Sequence, residues 1–279
     1  MILTVRDREL LEQLNNYELL STVMIESLIF KGIKKTTILR RLRILEKEKL
    51  IKRTQSTTSQ IYLWSITDLG AQTIGHDSNK NSWNKNTLDH DLKLIEVRMK
   101  LENIGLVKSW TTEQKIKSLV YKSNSRLEAK KKLIPDGVFI TSLENQNKSV
   151  AIELELTLKD KKRIKEVIKN YLAKKDLSFV WYISPQKNIL KSLFTEWTTM
   201  IKDSNGVRLI ASLYDEVIIN PLEAHIYTLE GVFKFNDFWR LSPAHTYAHT
   251  VSTQTSSYSI QNHGVSANNY TTSNKGTAL

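Results

Sequence analysis

Three carboxylates stand where buried strands want aliphatic side chains. In "LIPDGVFITSLENQNKSVAIELELTLKD", residues 133 to 160, Asp136 follows a proline inside one apolar run, and Glu153 and Glu155 sit inside another. If the second run is a strand, successive side chains point to opposite faces. Val150, Ile152, Leu154, Leu156 and Leu158 then share one side, and Ala151, Glu153, Glu155, Thr157 and Lys159 the other. At roughly 3.3 Å rise per residue the two glutamates lie about 6.6 Å apart, a gap that a divalent cation and its waters can bridge. Asp136 alternates in phase with Ile134, Val138 and Ile140 and interrupts an otherwise apolar face. Clustered carboxylates repel one another unless a cation joins them or a proton is taken up. A metal site is one reading. An ion-pair network at a sheet edge, with the acids neutralised by the adjacent "KDKKR", is the other. The broken alternation points to the site.

The elements that must hold these acids alternate in kind. "LDHDLKLIEVRMKLENIG" has the spacing of a helix that is apolar on more than one side. "LVKSWTTEQ" predicts a strand ending near Glu113, and "LIPDGVFI" and "SVAIELELTL" predict two more. "DKKRIKEVIKNYLAKK" brings Ile164, Val167, Ile168, Tyr171 and Leu172 to one helical face, with Asp160 as N-cap. "LSFVWYIS" reads as a buried strand, "NILKSLFTEWTTMI" as a helix and "VRLIASLYDEV" as a final strand. This order describes an α/β sandwich around a mixed sheet over residues 88–241. Basic segments frame the acids: "KSLVYKSNSRLEAKKK" before Asp136, and after Glu155 a helix whose Lys162, Lys165 and Lys169 face away from the apolar stripe and could follow a phosphate backbone.

Residues 1–75 form a first unit. Thr4 and Asp7 make a capping-box variant ahead of Leu10, Leu11 and Leu14, and "YELLSTVMIESLIF" repeats the helical pattern up to Gly32. In "KKTTILRRLRILEKEKL", Leu39, Leu42 and Leu45 fall on one side and Thr37, Arg40, Arg41 and Ile44 on another. Two β-rich runs around a polar turn follow, ending "IYLWSITDLG". Three helices and a hairpin in this order resemble the winged helix-turn-helix, whose third helix enters the major groove and whose wing touches phosphate. The resemblance implies Thr36, Thr37, Arg40, Arg41 and Arg43 as DNA readers, with Lys52, Arg53 and Gln60 on the wing. A solvated charged face is the plain alternative. "GHDSNKNSWNKNT" reads as a linker over 76–87.

The acid pattern, "PD" then "ELE" one strand later within αβββαβ elements, resembles the PD-(D/E)XK nucleases over about residues 88 to 220. That resemblance implies Mg²⁺ or Mn²⁺ held by Asp136 and Glu153, with Glu113 as an additional acid, polarising a scissile phosphate. The family's lysine position holds Glu155, so Lys159 on the same strand face, or Lys161 or Lys162 from the helix, would have to replace it. The whole order, with "DHDL", "WTTEQ" and "PDGVFI", resembles the plasmid replication-relaxation family and, more distantly, the MobC class of mobilization relaxases. It implies a metal-dependent nicking or relaxation enzyme acting on double-stranded DNA at an origin. His90 would be a phosphate contact, where a lone histidine on an apolar helix otherwise belongs to the core. The alternative function is a DNA-binding regulator with an inert nuclease fold. The absence of a His-x-His triplet disfavours a tyrosine relaxase.

Bulk composition agrees with a polyanionic partner: 279 residues carry a formal net charge of +12. No cysteine is present, which excludes disulfides and thiolate metal sites. No apolar run approaches the roughly 18 residues of a membrane span, so a cytoplasmic protein is expected. Residues 242–279 are rich in Ser, Thr and Asn and read as a disordered tail, with His245 and His249 part of its composition.

Overall fold

The computed structural model describes residues 2–55, 61–76, 87–201 and 206–240. Gln60, most of the expected linker, His245, His249 and the rest of the expected tail lie outside the described residues.

The chain opens with α1 (Val5–Tyr17), β1 (Leu20–Ser21), α2 (Thr22–Leu28), α3 (Lys35–Lys47), β2 (Ile51–Gln55), β3 (Tyr62–Ile66) and α4 (Asp68–Thr73). The Thr4–Asp7 capping box starts α1 as its sequence predicts. β1, β3 and β2 form an antiparallel sheet in that order. Ile38, Leu42 and Leu45 of α3 are buried with Leu10, Leu11 and Leu14 of α1 and with Leu63 and Trp64 of β3. The inward side of α3 is therefore set by Ile38, with Leu39 half-exposed beside it. Gly70 in "TDLG" has a packing reason. A β-carbon there would stand 2.1 Å from the Leu50 carbonyl oxygen, so only glycine lets α4 lie against the turn before β2.

The second part comprises α5 (Leu88–Asn103), β4 (Ser109–Thr112), α6 (Glu113–Ser123), α7 (Arg126–Lys131), β5 (Gly137–Leu143), β6 (Gln146–Leu154), α8 (Lys161–Leu172), β7 (Phe179–Ser184), α9 (Lys187–Met200), β8 (Arg208–Leu213), α10 (Tyr214–Ile219), β9 (His225–Tyr227), β10 (Val232–Lys234) and α11 (Phe235–Trp239). Its seven-stranded mixed sheet runs β10-β9-β8-β7-β6-β5-β4. β6, β7 and β8 are parallel and the remaining pairs antiparallel. Ala151, Val180, Tyr182, Leu209 and Ala211 pack under α8 and α9 with Ile164, Ile168, Leu193 and Trp197. The opposite face is aromatic: Trp110 stacks on Phe139, and Phe179 and Trp181 meet Phe235 and Trp239 of α11. Both faces are thus covered, which is why β7 is buried at every position.

Several boundaries depart from the sequence reading. The second strand of the αβββαβ order is separated from the first by α6 and α7, because Thr112 caps a helix where a strand was expected to continue. β8 is not the last strand, since β9, β10 and α11 follow it. β6 ends at Leu154, so the alternation drawn out to Leu158 stops early, and Leu158 is exposed.

α5 belongs to both parts. Leu88 and Ile95 join the core of the first helices. Arg98 donates to the Asn16 carbonyl at 2.9 Å and to its side-chain oxygen at 2.7 Å, and the Tyr17 hydroxyl donates to Glu102.

Candidate functional site

The acids meet at the carboxyl end of β6, the end of a parallel sheet segment where ligands characteristically bind. Gly137 pairs with Ile152 across the β5–β6 ladder, which brings Asp136 alongside Glu153. Asp136 stands just outside β5, and its Oδ2 accepts the Leu154 backbone N–H at 2.8 Å. Gly137 is required next to it: a β-carbon would sit 2.8 Å from the Trp110 ring.

His90, in the first turn of α5, closes on the same point. Its Nε2 lies 3.1 Å from Asp136 Oδ2 and 3.0 Å from the Leu154 carbonyl, and its Nδ1 lies 3.3 Å from Asp91 Oδ1. Every neighbour of the ring is an acceptor, so both nitrogens carry protons. Burial alone would lower the pKa, but the hydrogen bonds to Asp136 and Asp91 prevail and push it up to about 10. His90 therefore lies between two aspartates at the edge of the cleft and not in the apolar core.

Glu153 points to the other side of β6, where the Tyr171 hydroxyl donates to it. Burial first, then the charge of Asp136, hold its carboxyl well above the usual carboxylate range. Tyr182, across the ladder on β7, has its own pKa raised by burial and by the Glu153 charge. Glu155 leaves the strand. Its backbone N–H still bonds the Ile183 carbonyl at 2.8 Å, but its carboxylate pairs with Lys159 in the loop before α8. Lys159 is thus a partner of Glu155 and does not share a strand face with Glu153. Lys161 and Lys162 are exposed at the start of α8. Glu113 opens α6 instead of ending a strand and pairs with Lys117 at 2.5 Å.

A cleft of about 660 Å³ lies over this end of the sheet. Asp136, His90 and Glu113 line it, together with Glu18, Trp110 and Tyr121. Glu18 holds a left-handed backbone (φ 68°) after α1 and accepts from the Thr112 hydroxyl at 2.6 Å. Burial raises its pKa.

The resemblances noted above imply a divalent cation, and the donor set decides the fit. Asp136 is held by His90 and Leu154, Glu153 by Tyr171, Glu155 by Lys159 and Glu113 by Lys117. Among the described residues no three His, Asp or Glu side chains are grouped to hold a metal ion. As arranged, these residues do not fit Mg²⁺ or Mn²⁺. The positive charge that two adjacent acids require is supplied on one side by His90.

The expected DNA-reading residues divide. Thr36, Thr37, Arg40 and Arg43 are exposed on α3, while Arg41 is bound to Asp7 of α1, with Nε 2.7 Å from Oδ1. Arg41 is therefore a structural partner of a carboxylate only 1 % exposed, which removes it from the free reading face. Thr37, Arg40 and Ile44 line a groove of about 340 Å³ with Arg6. On the hairpin Lys52 is exposed, and Arg53 lies 3.4 Å from Glu46 and stacks on Tyr62. Lys162, Lys165 and Lys169 are exposed on α8, as their spacing predicts, with Lys165 3.4 Å from Glu196.

Tyr171, Tyr182, Asp91 and Trp110 were not marked by sequence. Tyr171 falls on the apolar stripe of α8 and reads as core, and only its hydroxyl, which a buried tyrosine must satisfy, hints at a polar partner.

A mixed α+β chain with acids at the carboxyl end of a parallel strand pair is the class that fold and site define. The chain belongs to the replication-relaxation family, whose model matches residues 11–174. That membership suggests a role in plasmid replication or relaxation. No curated protein matches the chain. Among solved structures, a mutant of Lactococcus lactis ZitR in apo form is 20 % identical, over 46 % of this chain and 82 % of its own, with a TM-score of 0.23. The restriction endonuclease FokI bound to DNA is 12 % identical, over 76 % of this chain and 43 % of its own, also with a TM-score of 0.23. At such scores neither likeness carries weight for this chain. No helix among the described residues is long and apolar enough to cross a membrane.

Proposed function

We propose that the chain is a DNA-binding protein of plasmid replication or relaxation, reading an origin duplex through an N-terminal winged helix-turn-helix, with a nuclease-like domain whose acids are neutralised by ion pairs and hydrogen bonds. The observation that carries this reading is the division of α3. Ile38, Leu42 and Leu45 are buried, whereas Thr36, Thr37, Arg40 and Arg43 are exposed on one element beside a groove shared with Arg6. Arginines in that position suit bidentate contacts to guanine in a major groove, and Lys52 on the hairpin suits a phosphate. The test is binding to a cognate origin duplex and to a scrambled duplex of equal length. Arg40→Ala should weaken specific binding by about 1–3 kcal/mol and relax preference at one base position. Equal affinity for both duplexes in the wild type would remove the reading.

A second reading, a metal-dependent PD-(D/E)XK nickase of the mobilization type, draws support from the proximity of Asp136 and Glu153 at the end of β6. It requires the acids to exchange their present partners for a cation. Supercoiled cognate plasmid incubated with Mg²⁺ or Mn²⁺ distinguishes the two. Open-circular product that disappears with Asp136→Asn favours the enzyme, and plasmid that stays supercoiled at saturating protein favours the binder.

A further inference from the structure

Between β4 and β5 the chain inserts α6 and α7, which carry the basic segment that precedes Asp136. Over residues 113–132 it carries Lys115, Lys117, Lys122, Arg126, Lys130, Lys131 and Lys132 against two acids, Glu113 and Glu128. Both acids are used locally, Glu113 on Lys117 and Glu128 in the capping box that starts α7. No residue of α6 is buried, and in α7 only Ala129 is. A helix this short draws most of its stability from packing, and here the apolar side chains lack a cover. Leu119 is 54 %, Tyr121 47 % and Leu127 75 % exposed. Gln114, Lys117, Ser118 and Tyr121 form the wall of the 660 Å³ cleft whose lining includes His90 and Asp136.

We infer that α6 and α7 form a binding surface for single-stranded DNA, with the cations along the phosphates and Tyr121 against a base. Two features select the occupant. The surplus of cations calls for a polyanion, and the interleaved exposed apolar and aromatic side chains call for flat apolar faces. A single strand offers both, since its bases are unstacked, and aromatic platforms beside basic tracks are the general means of holding one. A duplex hides its bases and would leave Tyr121, Leu119 and Leu127 uncovered. This rests on the DNA-binding reading only in taking DNA as the partner, and it uses none of the α3 residues.

The test is fluorescence anisotropy of the full chain with a labelled oligothymidine, titrated at several salt concentrations, in parallel with the origin duplex. Arg126→Ala/Lys130→Ala/Lys131→Ala should lower the slope of log K against log salt by about 2, since each single-strand phosphate contact contributes about 0.7. Tyr121→Ala should lose on the order of tenfold in affinity for the oligonucleotide, and Tyr121→Phe almost none. Duplex affinity should be unchanged in all three. Should the triple variant misfold, Lys122→Gln/Arg126→Gln takes its place with an expected slope change of about 1.4. Wild-type protein that binds duplex but not oligothymidine overturns this inference alone, as does an unchanged slope. Failure to bind either DNA removes the DNA-binding reading as well. Stronger capture by vesicles of anionic phospholipid, or by an acidic peptide, than by the oligonucleotide also overturns it.

Discussion

His90 and Glu153 answer the same electrostatic problem in opposite ways. Asp136 sits between them, and each must respond to its charge. His90 takes a second proton. With a folded pKa of about 10 against the ordinary 6.5, it contributes stability that is complete below pH 6.5 and disappears as pH rises through 10. The difference in Tm between wild type and His90→Gln should be largest near pH 6 and shrink toward pH 10. A difference that stays constant across that range would mean that the imidazole is neutral. Glu153 cannot gain a cation and is instead pushed toward its protonated form, so its penalty grows as pH rises above the ordinary carboxylate range. Glu153→Gln keeps an acceptor for Tyr171 while removing the ionisable group. It should raise Tm at pH 8 and have little effect at pH 4.

At the scale of the element, α3 shows how a face read from spacing changes once its neighbour is known. Arg40 and Arg41 look equivalent in sequence, but the Thr4–Asp7 cap of α1 leaves an Asp7 oxygen facing Arg41. Burial would raise the Asp7 pKa, but the hydrogen bonds from Arg41 and Thr4 outweigh it and hold the carboxyl below its ordinary range. Arg41→Ala should therefore cost about 1–3 kcal/mol in urea unfolding, the loss expected when a buried carboxylate loses a half-exposed hydrogen-bonding partner. Arg40→Ala should fall within about 0.5 kcal/mol of wild type, as an exposed site does. Equal losses would refute the assignment. The caps, the apolar faces of α1 and α8, and the strands holding Asp136 and Glu153 were legible because their signals are local in sequence. The helix at Glu113 was not, because "SWTTEQ" suits a strand until Thr112 caps the backbone behind it. Nor was the His90–Asp136 bond, whose partners are 46 residues apart and meet only through the β5–β6 register. The early end of β6 was hidden by an alternation of leucines that continues after the strand has stopped.

For the molecule as a whole, the question is how the N-terminal helices with their hairpin and the sheet part, which the sequence divides at residues 76–87, come to be connected. Arg98 is the link with the most partners. It is 4 % exposed, donates to the carbonyl and side-chain oxygens of Asn16 at the end of α1, pairs with Glu102 at 2.8 Å, and stacks on Tyr17 and Trp110. A cation at a helix carboxyl terminus is favoured by the helix dipole, and this one also lies over the Trp110 ring that rests against Gly137, next to Asp136. Thr112 and Glu18 make a second link at the mouth of the cleft. Wild-type protein should therefore unfold in one calorimetric transition that includes both cores. Arg98→Met preserves most of the volume but leaves the Asn16 oxygens without their donor and Glu102 with the Tyr17 hydroxyl in place of a cation. It should cost about 3–5 kcal/mol and split the melt, with amides of α1 and α3 exchanging at a lower temperature than those of β6 and β7. A single transition in Arg98→Met, shifted by less than a degree, would show that the two parts are held by their apolar contacts at Leu88 and Ile95 and that the arginine is incidental.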